Sequence, residues 1–276
     1  AGLPMVLANA RLSERSARKG RQLSALLHPA MACFAAVLAQ TEGDAARLRA
    51  SGATHVQVLG NLKFDMAPQP ELLARGRAWR AAAGRAVVLA AVTREGEEVP
   101  LLDAWHAVPE PRPLLLLVPR HPQRFDEVAG LVTQAGFRLS RRSSWAATPP
   151  ADALQADVWL GDSLGEMPAY YASANVALLG GSFAPLGGQN LIESAACGCA
   201  LVMGPHTFNF AQAAEGALAA GAAVRVDGLA SGVRRSLDLL TGGQAEAMGA
   251  RGRAFAAQHR GAAARMAAAV LQPVAG

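Results

Sequence analysis

Lysine is almost missing from this chain. Its 276 residues carry 26 basic side chains, yet Lys19 and Lys63 are the only lysines and the rest are arginines. Aromatic residues are also scarce, at 5%, so the arginines lack the interleaved stacking platforms that single-stranded nucleic acid binding uses. The net charge of +5 therefore points to an anionic ligand or an anionic membrane surface, with no nucleic acid partner. Cysteine is sparse and odd in number. Cys33, Cys197 and Cys199 imply no disulfide framework, and Cys197-Gly198-Cys199 has no second cluster with which to hold a metal. No run reaches the ~18 apolar residues of a membrane-crossing helix, and no signal peptide opens the chain. There is no His-Glu-x-x-His pair, no Walker A loop, no nucleophile elbow and no Gly-x-Gly-x-x-Gly after the first strand. These absences speak against metal-dependent hydrolysis, P-loop chemistry, serine hydrolysis and dehydrogenation.

Apolar residues, in contrast, make up 51% of the chain and charged ones only 17%. Short apolar runs alternate with helical stretches, and several are continuous, as in parallel strands buried on both faces. The runs are Met5–Ala8, Ala36–Ala39, Val56–Leu59, Val87–Ala91, Leu114–Val118, Val158–Leu160, Val176–Leu179, Leu201–Met203 and Val224–Val226. Amphipathic stretches such as Arg18–Leu27, Glu98–Ala107, Phe125–Ala135 and Phe210–Ala220 fit between them. This order predicts an open parallel α/β architecture. The two prolines of Asp65–Pro70 read as a linker. We therefore expect a first domain over 1–67, a second over 68–243 and a helical C-terminal segment over 244–276. Three strands before the linker are thin for a sheet, so the first domain reads as incomplete. The opening AGLPMVLANA, without an initiator Met, likewise reads as cut from a longer protein.

Ligands of open α/β sheets bind beyond the carboxyl ends of the strands, and those ends carry the unusual residues. Thr93-Arg94-Glu95-Gly96-Glu97-Glu98 fits both a capped helix start and an anion site; Arg94 is unnecessary for a cap. Pro119-Arg120-His121-Pro122 holds Arg120 and His121 between two prolines, which favours a functional role. Gly161-Asp162-Ser163-Leu164-Gly165-Glu166 could bring backbone to a ligand, although a tight connection explains it as well. Gly180-Gly181-Ser182 leads into Gly187-Gly188-Gln189-Asn190-Leu191-Ile192-Glu193. So many glycines cost backbone entropy and suggest close approach to a ligand. Glu193 suits the two adjacent donors of a ribose diol, against a plain dipole-stabilising role. His206, Thr207 and Asn209 of Gly204–Phe210 fall near the same crevice.

Together with Asn9–Ser16 and Gly60-Asn61-Leu62-Lys63-Phe64-Asp65, these motifs resemble the Kdo transferases. That family attaches 3-deoxy-D-manno-octulosonic acid (Kdo) to the lipid A precursor. The resemblance implies a GT-B architecture of two Rossmann-like doubly wound domains, the first incomplete in this chain. It implies an inverting glycosyltransferase of lipopolysaccharide biosynthesis with CMP-Kdo as donor, the lipid A precursor as acceptor and no cofactor or metal. The parent protein would sit at the cytoplasmic face of the inner membrane through an N-terminal anchor missing here, this chain alone being soluble. By the same resemblance Arg120 and His121 line the nucleotide site, with the turn Gly161, Ser163, Leu164, Gly165 and Glu166 meeting it through backbone. Asn190 and Glu193 take the ribose. Lys63, Arg94, Gly181, Ser182 and Gln189 face the donor sugar or phosphate. Gln189 stands where the family usually has His, and Leu164 where it has Met. The general base belongs to the upstream region, so no glutamate of this chain is assigned that role. Two other readings remain: a catalytically inactive nucleotide-binding module, and a GT-B transferase using a UDP-sugar.

Overall fold

In a computed structural model of the chain, residues 3–271 are described. They form two compact units, one of residues 3–66 with 259–271, the other of residues 67–258. Residues 1–2 and 272–276, the outer ends of the segments 1–67 and 244–276, lie outside the described residues.

The smaller unit has a parallel sheet in the order β1 (Val6–Ala10), β2 (Ala36–Ala39), β3 (Val56–Val58). All four residues of β2 are buried, as a central parallel strand requires. Val37 and Ala39 pack with Ala45 and Leu48 of the helix Glu42–Ala50 on one face. Ala36 and Leu38 pack with Met266 and Ala269 of the helix Ala262–Leu271 on the other. Asp65 anchors that second helix: its carboxylate accepts from the Gly261 N–H at 2.8 Å and the Ala263 N–H at 2.7 Å. The expected helix Arg18–Leu27 is instead two helices, Glu14–Gly20 and Ser24–Ala32, joined by a 3-10 turn.

The larger unit has seven parallel strands: β4 (Val87–Thr93), β5 (Leu114–Pro119), β6 (Leu139–Arg141), β7 (Val158–Leu160), β8 (Val176–Leu179), β9 (Ala200–Met203) and β10 (Ala223–Arg225). Their spatial order is β10-β9-β8-β4-β5-β7-β6. The strand unforeseen in the sequence is β6, a three-residue edge strand with Ser140 and Arg141, too short and polar to register as an apolar run. The order reverses at β4, which has β5 on one side and β8 on the other. That is the switch point where an open α/β sheet leaves a crevice.

Helices cover both faces. Pro70 opens the helix Pro70–Ala83 and Gly84, at φ 63°, ends it, so the Pro-rich linker stops where this helix starts. The helix lies close on Met167–Ser173: a Cβ on Gly76 would stand 2.1 Å from the Ala169 carbonyl oxygen. Trp79 sits in a ring cluster with Trp145 and Tyr170, and Trp145 meets Trp159 edge to face at 4.8 Å.

The 244–276 segment is not one body. Gln244–Gln258 belongs to the larger unit, where a Cβ on Gly249 would meet the Gly198 carbonyl oxygen at 2.1 Å. The helix Ala262–Leu271 belongs to the smaller one. Both read as Ala/Arg-rich helix, and only their packing partners separate them.

Candidate functional site: a cleft at the switch point of the larger sheet

At the end of β4 the register slips between Ala91 and Thr93, and Val92 takes a φ of 59°. A β-branched residue rarely adopts that conformation. The slip turns the Ala91 and Val92 carbonyls toward Gly180, where a Cβ would lie 2.7 and 2.6 Å from them. Glycine at 180 is thus demanded by the neighbouring strand end.

Glu97 and Glu98 then do different work. Glu98 is buried, accepts from the Thr93 hydroxyl at 2.8 Å and pairs with Arg124 at 2.7 Å. Glu97 is 2% exposed. Its carboxylate accepts from the Arg94 N–H at 2.9 Å and from the Gly181 N–H at 2.8 and 2.9 Å. The Phe183 and Ala184 N–H groups add two longer bonds at 3.3 Å. The glycine-rich loop after β8 is therefore held by an internal carboxylate.

Gly181 and Ser182, expected at the donor sugar or phosphate, have partners of their own within the protein. The Gly181 N–H is spent on Glu97. The Ser182 hydroxyl is buried, donates to the Leu179 carbonyl and accepts from the Gly204 N–H at 2.8 Å.

The next two turns are fixed in the same manner. The Arg120 N–H donates to the Thr93 carbonyl at 2.9 Å, which locks the Pro-Arg-His-Pro turn to β4. Glycine is required at 161, where a Cβ would stand 2.6 Å from Val118 Cγ2. Asp162 accepts from Arg141 Nε at 2.6 Å and from the Ser143 N–H and hydroxyl at 2.7 Å. Glu166 binds Arg75 at 2.7 Å, Arg142 at 2.9 Å and the Ser163 hydroxyl. Burial alone would raise the Glu166 pKa, but the Ser163 hydrogen bond and the two arginines bring it below the usual range. Both acids turn away from the ligand side. The turn thereby offers backbone and the exposed side chain of Leu164.

These elements enclose a cleft of about 400 Å³. Of the residues singled out in the sequence, Arg120, Gly161, Ser163, Leu164 and Gly165 line it from one side, and Gln189, Asn190 and Glu193 from the other. Asn190 caps the helix Leu191–Cys197 by accepting from the Ile192 N–H at 3.1 Å. Glu193 makes no ion pair among the described residues, and burial raises its pKa above the ordinary carboxylate value. His121 is exposed and is not among the residues lining the cleft, nor are Glu166, Arg94, Gly181 and Ser182. Lys63 belongs to the smaller unit, in the 3-10 turn Leu62–Phe64. Asn209 holds the loop through the Leu186 carbonyl at 3.1 Å, and Thr207 accepts from Arg225 at 3.2 Å.

Sequence reasoning missed Val92, Phe125, Phe210 and above all Tyr171, which also line the cleft. The Tyr171 ring is 1% exposed. Its hydroxyl makes no hydrogen bond among the described residues, yet it is not one of their sealed unsatisfied atoms, such as Trp105 Nε1. It opens onto the cleft. Burial raises its pKa well above the ordinary value, and Glu193 adds to the rise. It is a neutral donor beside a carboxylate, the pair a polyhydroxylated ligand can bridge.

Residues 1–66 match the family described as "3-Deoxy-D-manno-octulosonic-acid transferase (kdotransferase)". The 3-deoxy-D-manno-octulosonic acid transferase of Bordetella pertussis is 47% identical over 270 residues, covering 96% of this chain and 62% of that protein. The Haemophilus influenzae enzyme is 32% identical, covering 96% and 63%. The chain thus spans about three fifths of the length of these relatives. Among solved structures, the C-terminal CMP-Kdo binding domain of WaaA from Acinetobacter baumannii superposes with a TM-score of 0.61 at 26% identity, over 68% of this chain and 98% of that one. Anabaena HepE, solved with UDP and glucose, covers 99% of this chain and 72% of its own, with a TM-score of 0.54 at 15% identity. The latter likeness is one of fold, the GT-B type of two doubly wound α/β units. Aligned over nearly its whole length, the chain belongs to the 3-deoxy-D-manno-octulosonic acid transferase family.

Proposed function

We propose that the larger unit binds CMP-Kdo and supplies the donor half of an inverting Kdo transferase of lipopolysaccharide biosynthesis. The observation that carries this reading is the pairing, across one cleft at the sheet's switch point, of a guanidinium at Arg120 with an uncompensated carboxylate at Glu193. A nucleoside monophosphate has the matching polarity. Its phosphate takes Arg120, and its ribose diol donates to Glu193. Ser163, Leu164 and Gly165 would close on the base through backbone and apolar contact, with Asn190 and Gln189 adding polar contacts. Arg94, Lys63 and His121 remain candidates for the donor's phosphate or carboxylate in the liganded enzyme.

In this chemistry the acceptor hydroxyl attacks the anomeric carbon and CMP departs, so negative charge builds on the phosphate. A fixed cation at Arg120 stabilises that charge more in the transition state than in the ground state. The base that removes the acceptor proton is assigned to no residue of this chain. The lipid A precursor as acceptor, and a membrane position for the whole protein, are part of the same proposal. Among the described residues no helix is long and apolar enough to cross a membrane.

Calorimetric titration of the chain with CMP and with UDP tests the reading. CMP should bind at least tenfold more tightly. Equal affinity, or preference for UDP, overturns the assignment in favour of a UDP-sugar enzyme; binding without transfer to a lipid acceptor identifies a donor-binding module.

A further inference from the structure

The larger unit has a second concavity, at the opposite ends of the strands from the cleft. It is lined by Asn175, which precedes β8, by Cys197 and Gly198, which precede β9, and by Arg77, Arg80 and Arg253. Its volume is about 260 Å³, the scale of a small headgroup rather than of a nucleotide.

Its charge is unbalanced. Elsewhere in this unit Arg75, Arg112, Arg124, Arg138, Arg141, Arg142 and Arg225 have carboxylate partners, whereas Arg85, Arg94, Arg120, Arg234, Arg235 and Arg251 have no ion pair among the described residues. Arg77 and Arg253 have neither an ion pair nor a hydrogen bond among the described residues. Arg80 gives a single long hydrogen bond, 3.4 Å, to the Ala174 carbonyl. That contact suits a guanidinium at a helix C-terminus, but it uses one of five donors. One acid, Glu246, lines the same concavity, so three positive charges face one negative charge. Arg253 is pressed against backbone: a Cβ on Gly198 would lie 2.1 Å from its Nη1. The left-handed glycine that ends Leu191–Cys197 thus leaves the room in which this guanidinium sits. Guanidinium groups gathered without carboxylates have a geometry that suits phosphate oxygens.

We propose that Arg77, Arg80 and Arg253 form a second anion site, taking a phosphate-bearing group that is either a free phosphomonoester or the headgroup of an anionic lipid. The site is separate from the nucleotide cleft and does not depend on the reading of that cleft.

The test titrates the chain with inorganic phosphate by calorimetry. In parallel the chain is sedimented with vesicles of phosphatidylcholine, with and without phosphatidylglycerol. The unsubstituted chain should bind phosphate or the anionic vesicles. Arg77→Ala/Arg80→Ala/Arg253→Ala should lower that binding at least tenfold, and the single exposed charge reversal Arg253→Glu should lower it severalfold without disturbing the fold. All variants are compared in an Arg120→Ala background, so that phosphate held in the cleft does not contribute. Loss of phosphate binding in the triple variant identifies a soluble anion, and loss of vesicle binding alone identifies a lipid headgroup. If the unsubstituted chain binds neither probe, or the triple variant binds as well as the original, the site does not exist.

Discussion

Glu97 and Gly181 stand 84 residues apart, and both carboxylate oxygens of Glu97 accept from the one Gly181 N–H. The same carboxylate takes N–H groups from Arg94, Phe183 and Ala184. Truncation would strand several backbone donors, each costing about 1–3 kcal/mol when buried. Glu97→Ala should therefore lose about 3–5 kcal/mol in urea unfolding, with Glu97→Gln losing less because one oxygen remains. Equal stability of the two variants would show that the loop has other support.

Glu193 separates stability from binding. Burial raises its pKa, so in the folded state the charged form is disfavoured. That penalty is absent below the unfolded pKa and grows as pH rises through the folded one. Glu193→Gln should accordingly melt at or above the parent temperature at pH 7 while binding CMP at least tenfold more weakly. In the unsubstituted chain CMP affinity should fall as pH drops through the raised pKa, because only the ionised carboxylate accepts both ribose hydroxyls. A melting temperature that falls together with affinity would make Glu193 a structural residue.

Tyr171→Phe removes one buried hydroxyl that has no hydrogen-bond partner among the described residues. Thermal stability should be unchanged or slightly higher, since no intramolecular hydrogen bond is lost. CMP or CMP-Kdo affinity should fall by about tenfold, the ~1–1.5 kcal/mol of a neutral hydrogen bond. Unaltered affinity for both ligands would place the hydroxyl outside the binding surface.

At Gly180 an added Cβ meets only backbone: the Val92 and Ala91 carbonyl oxygens and Thr93 Cα, all within 2.8 Å. Backbone cannot rotate away as a side chain can. Gly180→Ala should cost about 2–3 kcal/mol and weaken CMP binding by displacing the strand end that shapes the cleft. Gly165→Ala is the useful contrast. There the added Cβ has open space, and the cost comes only from its φ of 79°, about 1–2 kcal/mol.

Asp65 should act on the smaller unit. Hydrogen bonds from the Ala263 and Gly261 N–H groups lower its pKa. Its contribution is present above the unfolded carboxylate pKa and is lost as pH falls through the lowered folded value. Hydrogen exchange in the helix Ala262–Leu271 should quicken at low pH and in Asp65→Ala at neutral pH. Unchanged protection in the variant would mean that apolar packing alone holds the helix.

What was legible in the sequence was what leaves a local mark. Nine strands announced themselves as apolar runs, Arg120 as a polar group just past a strand end, and Glu193 as an acid in the first turn of the helix after a glycine-rich loop. Strand β6 left no mark, because Leu-Ser-Arg at a sheet edge is half polar. Tyr171 sits in the run Ala169-Tyr170-Tyr171-Ala172, indistinguishable from core; only three-dimensional placement gives its hydroxyl an opening. Glu97 and Glu98 both read as helix-start acids, since the sequence cannot tell which will reach a loop 84 positions away. For the same reason Gly181 and Ser182 read as ligand contacts when their polar groups were already committed inside the protein.

The smaller unit is written in two pieces, residues 3–66 and 259–271, with the entire larger unit between them. During synthesis, β2 leaves the ribosome long before Met266 and Ala269 exist to cover it. Leu38 must wait, exposed or shielded by something else, while residues 67–258 are made. Closing so long a loop is slow and leaves sticky surface in the interval. A chain ending at residue 258 and released from the ribosome should therefore hold a protease-resistant larger unit beside a smaller unit that is still open to chaperones.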